Sequence, residues 1–474
     1  MVRTRFAPSP TGYLHIGSLR TALYAYAWAK SQKGKFVLRI EDTDRKRFVP
    51  GAIESLCKML RQFGVKWDEG PEVGGPYAPY IQSERVASGI YRECAERLVK
   101  QGQAYYCFCP PQTTTEIKAS QAKKELKLRD QCRELDPNEA KRRVTEGEKT
   151  AIRLRLPARE KVGFYDFVRQ RDITWRTEDV DEVTLLKSDG FPTYQLAVVV
   201  DDAVMKISHV IRAHEWLPST PVQIVLFKYL GWPVPEIGHV TDMLDPEGGK
   251  LSKRRRNVSC EDYLNQGYLA EAILNYVMLC GWAPKDNRET YTLAQFVESF
   301  RQGELQVANA MFNPVKLNWF NGQYIRKKTE EQLAQLLKPF APEGLKSDLI
   351  KETVPLVKER LIKLSDYADL VVFLVKEPVI DWAGFADKVE TKEVRDEQLK
   401  QVRSLLEVTN GWQAEKLEVE VRELAERHKW QFGPFFMAVR VAVTGRSISP
   451  PLFGCVELLG REKTVLRLSS AISL

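Results

Sequence analysis

The chain has 474 residues, of which 43% are hydrophobic, 28% charged and 10% aromatic. That length exceeds what one hydrophobic core covers and predicts about two to four domains, and the composition excludes a chain dominated by disorder. The formal net charge of +8 is modest for the length; it permits a polyanionic partner without requiring one. The N-terminal MVRTRFAPSP lacks the apolar core of a signal peptide, and apolar runs such as LVVFLV at 370–375 are too short for a bilayer, so no membrane attachment is expected. Eight cysteines, of which only 107 and 109 sit close together, predict a reduced, cytoplasmic protein with mostly buried thiols.

TRFA at 4–7 reads as a short strand ended by Pro8. In PSPTG, Pro8 and Pro10 fix φ and lack an N–H, and Gly12 accepts positive φ, so a stiff turn follows. From Ser18, the residues Leu19, Leu23, Tyr26 and Ala27 recur at helical spacing as far as the basic KSQKGK, and FVLRIE at 36–41 reads as a buried strand. The unit is a βαβ of the nucleotide-binding kind. Its loop lies at the carboxyl end of a strand and against a helix N-terminus, where unpaired N–H groups and the helix dipole favour a phosphate. Gly17 would admit a nucleotide close to the backbone, His15 would donate to a phosphate oxygen, and Ser9 and Ser18 add hydroxyls. The same residues also fit a stiff turn with a capping serine and a buried histidine. The loop matches neither G-x-x-x-x-G-K-[ST] nor G-x-G-x-x-G.

Further along, AYYCFCPPQ places Cys107 and Cys109 one residue apart, and Cys132 follows in RDQCRELD. The segment from 118 to 149 has helical period and both charges, and AIRLRLP, VGFYDFV and DITW read as strands. HVIRA and IGHVT are strand-like. DPEGGKLSKRRR begins at 245; its Asp-Pro and Gly-Gly mark a loop, and Lys250, Lys253, Arg254, Arg255 and Arg256 make it strongly cationic. It is either a solvated basic loop or a clamp that stabilises the charge growing on a departing pyrophosphate. From about 326 the sequence is almost wholly helix-forming: TEEQLAQLLKPF, RDEQLKQVRSLLEVTN and AEKLEVEVRELAERHKW all repeat near 3.6 residues.

HIGS at 15–18 and KLSKR at 250–254 together resemble the paired signatures of class I aminoacyl-tRNA synthetases. The flanking RFAPSPTGYLHIGSLRTALYAYAWA and FVLRIEDTDR narrow the resemblance to the glutamyl and glutaminyl branch, and the chain is similar to the bacterial-type glutamyl-tRNA synthetase family. GPYAPYIQSER at 75–85, GFPTYQLAVVVDD at 190–202, HVIRAHEWLPSTP at 209–221, FNPVKLNWFNGQYIRK at 312–327 and VTGRSISPPLFGCVELLG at 443–460 extend it over essentially the whole chain. It implies a multidomain α/β fold. Residues 1–105 and 186–240 would form a Rossmann-like catalytic domain, 106–185 an inserted α/β domain gripping the tRNA acceptor end, 241–325 a stem-contact domain carrying the KLSKR loop, and 326–474 a helical anticodon-binding domain.

The implied activity is ATP-dependent activation of L-glutamate to glutamyl-adenylate and its transfer to the 3′ end of tRNA(Glu), with AMP and diphosphate released. Whether tRNA(Gln) is charged as well stays open. Carried over by motif position, Arg5 and Arg212 hold the carboxylates of glutamate, Glu41 its ammonium, and Tyr194 and Ser9 line the pocket. Arginine suits carboxylates because its planar fork binds them bidentately. His15 and Lys253 meet the ATP phosphates as the catalytic groups, with Ser9, Gly17, Glu215, Lys250 and Ser252 around the nucleotide and magnesium on the triphosphate. The family also implies a structural zinc in the insertion. Cys107, Cys109 and Cys132 could hold it, with Glu134 as the fourth ligand by spacing; the other reading is a zinc-free domain that keeps three thiols. Val198 stands where some relatives carry an asparagine, which would leave Gln195 as a substitute, and His214 stands where an acidic residue is common. Partners would be tRNA and glutamate, and the chain a monomer.

The helical C-terminal third counts against a glutaminyl enzyme, which carries β-barrels there, and against the short relative that modifies queuosine in tRNA. A small-molecule nucleotidyltransferase of the same superfamily would not need that third either. An idle tRNA-binding paralogue would show eroded ATP loops, whereas His15, Gly17 and Lys253 are all present.

Overall fold

A computed structural model describes residues 1–110, 130–251 and 259–473. The chain divides into two compact units, one of residues 1–263 and 274–313, the other of residues 264–273 and 314–474.

In the first unit, β1 (Arg3–Phe6), α1 (Ile16–Ser31) and β2 (Lys35–Leu38) form the expected βαβ, with the strands parallel and Arg5 opposite Val37. Nearly every side chain of α1 that faces the protein is small or apolar, and Leu19, Ala22, Leu23, Ala25 and Ala27 are wholly buried, so the helix packs tightly on the strands. The helix begins two residues before Ser18. His15 occupies the N-cap with an extended backbone, and its Nδ1 accepts the Gly17 N–H at 2.9 Å, so the imidazole does the work a capping serine would do. β2 ends at Leu38 rather than at 41. Beyond it the Arg39 N–H bonds Phe6 O and the Glu41 N–H bonds Pro8 O, so the chain runs on beside the proline turn instead of along a strand.

β3 (Ala104–Cys107), β4 (Ala151–Leu154) and β7 (Thr184–Leu186) make one antiparallel sheet in the order β3-β4-β7. The hairpin of β5 (Lys161–Asp166) and β6 (Arg171–Arg176) joins a different sheet with β8 (His209–Ala213) and β9 (Glu236–Val240), in the order β6-β5-β9-β8. The 106–185 stretch therefore contributes strands to two sheets. β8 and β9 are parallel, and their register sets Arg212 directly opposite His239; β5 meets β9 where Asp166 lies opposite Ile237. α2 (Tyr194–Val204) and α3 (Thr220–Tyr229) are apolar around most of their circumference and pack together into one core with residues of β4 and β7.

The second unit is helical throughout its described residues. Its core runs from Leu333 through Val354, Leu399, Val421, Ala438 and Val456 to Leu468. Thr329 and Gln332 form a capping box at the start of the helix at 330–337. α4 (Phe432–Thr444) stops at Gly445, whose φ of 73° lets its N–H turn back to Val441 O. Arg467 of α5 (Arg461–Ile472) is buried at 2% exposure. Among the described residues of either unit, no helix is long and apolar enough to cross a membrane.

Candidate active site

The carboxyl ends of parallel strands are where open α/β sheets bind ligands. Here those ends carry Arg5 on β1, Arg212 on β8 and His239 on β9, with Arg39 and Glu41 just beyond β2. All five side chains are buried.

Arg5 and Arg39 share one acid. Asp202 of α2 accepts from Arg5 Nε at 3.2 Å and from Arg39 Nη1 at 2.7 Å. The other Arg39 nitrogen, Nη2, donates to Glu41 Oε1 at 2.9 Å. Burial alone would push both carboxyls up. It wins at Glu41, whose pKa is raised in spite of Arg39 and Arg5, and loses at Asp202, which the two arginines hold below its ordinary value. The two Nη atoms of Arg5 have no hydrogen-bond partner among the described residues. Asp201, the neighbour of Asp202, hydrogen-bonds with Arg85, Gln82 and Tyr91 and lies 3.9 Å from Arg39 Nε, so it links that network to Arg39.

Arg212 is built differently. Its Nε donates to His239 Nε2 at 3.0 Å, Nη1 to Gln223 Oε1 at 2.7 Å and Nη2 to Thr220 Oγ1 at 2.8 Å. Every one of these acceptors is neutral, and among the described residues no carboxylate pairs with Arg212. Burial accordingly lowers its pKa, in contrast to Arg39, which Asp202, Glu41 and Asp201 hold above its ordinary value against burial. A buried cation without a counterion is costly, and such a group is poised for an incoming anion. Tyr194, at the first turn of α2, stacks on Trp216 with ring centroids 4.1 Å apart, and its phenol feels Arg212, Glu41, Arg5 and Asp202 together. The five residues form one electrostatic neighbourhood. Arg5 and Arg39 are answered by Asp202, Glu41 and Asp201, whereas Arg212 has no acid partner among the described residues.

Gln195, next to Tyr194, accepts from Gln223 Nε2 at 3.0 Å and so reaches Arg212 through one intermediate. Val198 lies in the apolar core at 2% exposure. Ser9 is exposed in the proline turn, where its carbonyl accepts the Thr11 N–H.

At the start of α1, the bond from Gly17 N–H to His15 Nδ1 leaves the neutral ring's proton on Nε2. A Cβ on Gly17 would come within 3.2 Å of that Nδ1, so glycine preserves the cap. Lys250 Nζ pairs with Glu215 Oε2 at 2.7 Å and with Asp242 Oδ1 at 3.2 Å, and His214 Nδ1 lies 3.6 Å from Asp242 Oδ2. Lys250, Glu215 and His214 therefore form one half-exposed cluster around Asp242. Ser252 and Lys253 lie outside the described residues.

The three thiols converge. The Sγ atoms of Cys107, Cys109 and Cys132 all lie within 4.8 Å of one another, Cys109 and Cys132 at 3.5 Å. Burial and the neighbouring thiols push Cys109 up to about 11. Glu134 is outside this group; its carboxylate accepts from Arg133 at 3.1 Å and is largely exposed.

Motif position does not single out Arg39, Asp202, His239, Asp166, Thr220 or Gln223, although all of them belong to the hydrogen-bond networks of Arg5 and Arg212. Asp202 and Thr220 sat inside recognised stretches, and burial of a charged residue in a helix as apolar as LAVVVDD was the available signal.

Residues 1–319 match the family model for tRNA synthetases class I (E and Q), catalytic domain, and residues 332–472 match an anticodon binding domain. The chain is 41% identical over 483 aligned residues to a glutamate–tRNA ligase of Dehalococcoides mccartyi, covering 100% of this chain and 98% of that one. It is 40% identical to a glutamate–tRNA ligase of Treponema denticola, covering 100% and 99%. A crystal structure of a glutamate tRNA ligase from Elizabethkingia meningosepticum in complex with its amino acid matches with a TM-score of 0.86 at 33% identity, over 100% of this chain and 99% of that one.

Proposed function

Because the chain belongs to the glutamate–tRNA ligases of the class I aminoacyl-tRNA synthetases, we propose that it activates L-glutamate with ATP and transfers it to the 3′ end of tRNA(Glu), in the cytoplasm and as a monomer. The observation that carries the choice of amino acid is the uncompensated positive charge of buried Arg212, whose partners among the described residues are all neutral. Glutamate brings two carboxylates and one ammonium and cancels it. Glutamine is neutral overall and leaves a buried guanidinium poorly paired, a large penalty in a dry site.

In this reading the Arg212 fork takes one carboxylate and the Arg5 Nη atoms take the other, while Glu41 accepts from the ammonium and Tyr194 closes the side. Asp202 and Arg39 hold Arg5 and Glu41 in place. His15 donates its Nε2 proton to phosphate at the amino end of α1, whose N–H groups add to that pull. Lys250, Glu215, Ser9, Ser252 and Lys253 are assigned to the nucleotide, with Gly17 giving it room. No protein nucleophile is required: the substrate carboxylate attacks the α-phosphorus and pyrophosphate leaves, after which a ribose hydroxyl of the tRNA attacks the acyl carbon and AMP leaves. Catalysis is then positioning plus charge stabilisation, with magnesium serving the triphosphate.

The thiol triad fits a structural zinc, which thiolates bind tetrahedrally. Cys107, Cys109 and Cys132 would hold it, and Glu134 would have to leave Arg133 to complete the set. Bound, the ion would tie β3 to the segment at 132. Cys132→Ser should lower the zinc found per chain by elemental analysis and reduce the stability of that region; a wild-type protein purified without zinc and unchanged by its addition would dismiss the site.

The test of the proposal is charging of radiolabelled glutamate onto two transcripts, tRNA(Glu) and tRNA(Gln). Glutamate on tRNA(Glu) is the expected result. Glutamate on both transcripts would broaden the specificity, and no charging of either, with tRNA binding retained, would overturn the proposal.

A further inference from the structure

His239 is completely buried on β9, between Arg212 on one side and Asp166 on the other. Its Nε2 receives the Arg212 Nε–H at 3.0 Å, and its Nδ1 lies 2.7 Å from Asp166 Oδ2. Asp166 is pinned in turn: its Oδ1 accepts the N–H groups of Val168 at 3.1 Å, Arg169 at 3.0 Å and His239 itself at 3.2 Å. These bonds, with the imidazole's, keep it ionised against the opposing effect of burial.

The direction of this chain is forced by chemistry. An arginine donates and cannot accept, so Nε2 must be the acceptor and the ring proton must sit on Nδ1, where an ionised Asp166 accepts it. Only the neutral ring satisfies both ends; an imidazolium would turn an N–H against the N–H of a cation. Burial, aided by the charges of Arg212 and Arg169, holds His239 down to about 4 against the pull of Asp166, so the ring stays neutral through the working pH range. Phe164 packs on the ring with centroids 5.7 Å apart, and Thr220 Oγ1 lies 3.4 Å from Nε2.

We propose that His239, fixed by Asp166 as the Nδ1–H tautomer, is a positioning residue for amino-acid recognition: it sets the rotation of the Arg212 guanidinium so that the fork faces the substrate carboxylate. Thr220 and Gln223 hold the two Nη atoms, and the bond at Nε adds a third fixed point that locks the plane of the guanidinium. The inference rests on Arg212 being a carboxylate-binding residue of the glutamate pocket.

Two variants separate positioning from packing. In His239→Gln, an amide oxygen reaches the place of Nε2 and can accept from Arg212. In His239→Asn, the amide can still bond Asp166 but ends short of Arg212. ATP–pyrophosphate exchange on the full chain, with tRNA present, gives KM for glutamate, KM for ATP and kcat. The Asn variant should raise the KM for glutamate about 30-fold, the effect of losing one hydrogen bond to a charged group, with KM for ATP and kcat within about threefold of wild type. The Gln variant should recover to within about fivefold. Equal KM values for glutamate in the two variants, or a rise in the KM for ATP as large as that for glutamate, would overturn the proposal. Arg212→Ala in the same assay separates the two readings: if it leaves the KM for glutamate unchanged, the assignment of the pocket itself has failed, whereas a large rise there with normal behaviour of His239→Asn sinks the role of His239 alone.

Discussion

Arg212 and Arg467 are both nearly inaccessible, at 5% and 2% exposure, and lie in the α/β and the helical unit respectively. Their surroundings differ in kind. Arg467 of the last helix donates to the carbonyls of Val443, Phe373 and Lys376 at 2.8, 2.7 and 3.0 Å and pairs through Nε with Glu377 at 3.1 Å. Its charge is answered by an acid, and its donors cap helix ends whose carbonyls would otherwise be orphaned. Arg212 meets three neutral acceptors and no acid among the described residues. The first is a closed structural clasp. The second is a buried cation held only by neutral scaffolding, the pattern that fits the proposed role in recognition.

That contrast can be broken by experiment. The largest effect should come from Arg212→Ala. Losing a buried, charge-assisted pairing is worth about 3–5 kcal/mol, so kcat/KM for glutamate should fall by roughly a factor of 10³. The melting temperature should move by no more than about 3 °C, because removing a buried cation that has no acid partner offsets the loss of its three hydrogen bonds. A large fall in stability with little loss of kcat/KM would erase the distinction.

Arg467→Met should do the reverse. It leaves three carbonyls without their donor and should destabilise the helical unit by about 2–4 kcal/mol in urea unfolding, with the KM for glutamate unchanged below the transition. An altered KM with unchanged stability would contradict the assignment of a purely structural role.

A smaller, pH-dependent effect sharpens the picture at Glu41. Its pKa is raised by burial, and in the proposed binding mode it must be ionised to accept from the ammonium of glutamate. kcat/KM for glutamate should therefore fall on the acid side at a pH above the ordinary glutamate range of about 4.3, by about tenfold per pH unit once below that pKa. In Glu41→Gln the plateau should drop and that acid limb should disappear. A limb that survives the substitution belongs to another group.

The two regions also differed in how much of them could be read in the sequence. The helices of the C-terminal third follow their hydrophobic period, and HVIRA coincides with β8 residue for residue. The βαβ at the start is legible from its prolines and glycines, but a helix start at Ser18 falls two residues late, because a histidine is a rare cap and a serine stands nearby. Arg5, Glu41, Tyr194 and Arg212 were singled out by motif, and the fold gathers them into one electrostatic neighbourhood. What supports them was not legible. Asp166, Asp202 and His239 reach the arginines through strand register and helix packing at separations from 27 to 197 residues, and no local pattern encodes such distances. The thiol cluster was readable for a simpler reason: cysteine is scarce in this chain, so three in a short span stand out.

The central question is whether the pocket selects for charge. The most direct measurement is kcat/KM for glutamate against glutamine in charging of tRNA(Glu) by the wild-type protein. A preference for glutamate of at least roughly 10³ is predicted from a buried guanidinium left without its carboxylate. Glutamine charged as well as glutamate would contradict the claim that the unbalanced arginine decides which amino acid is accepted.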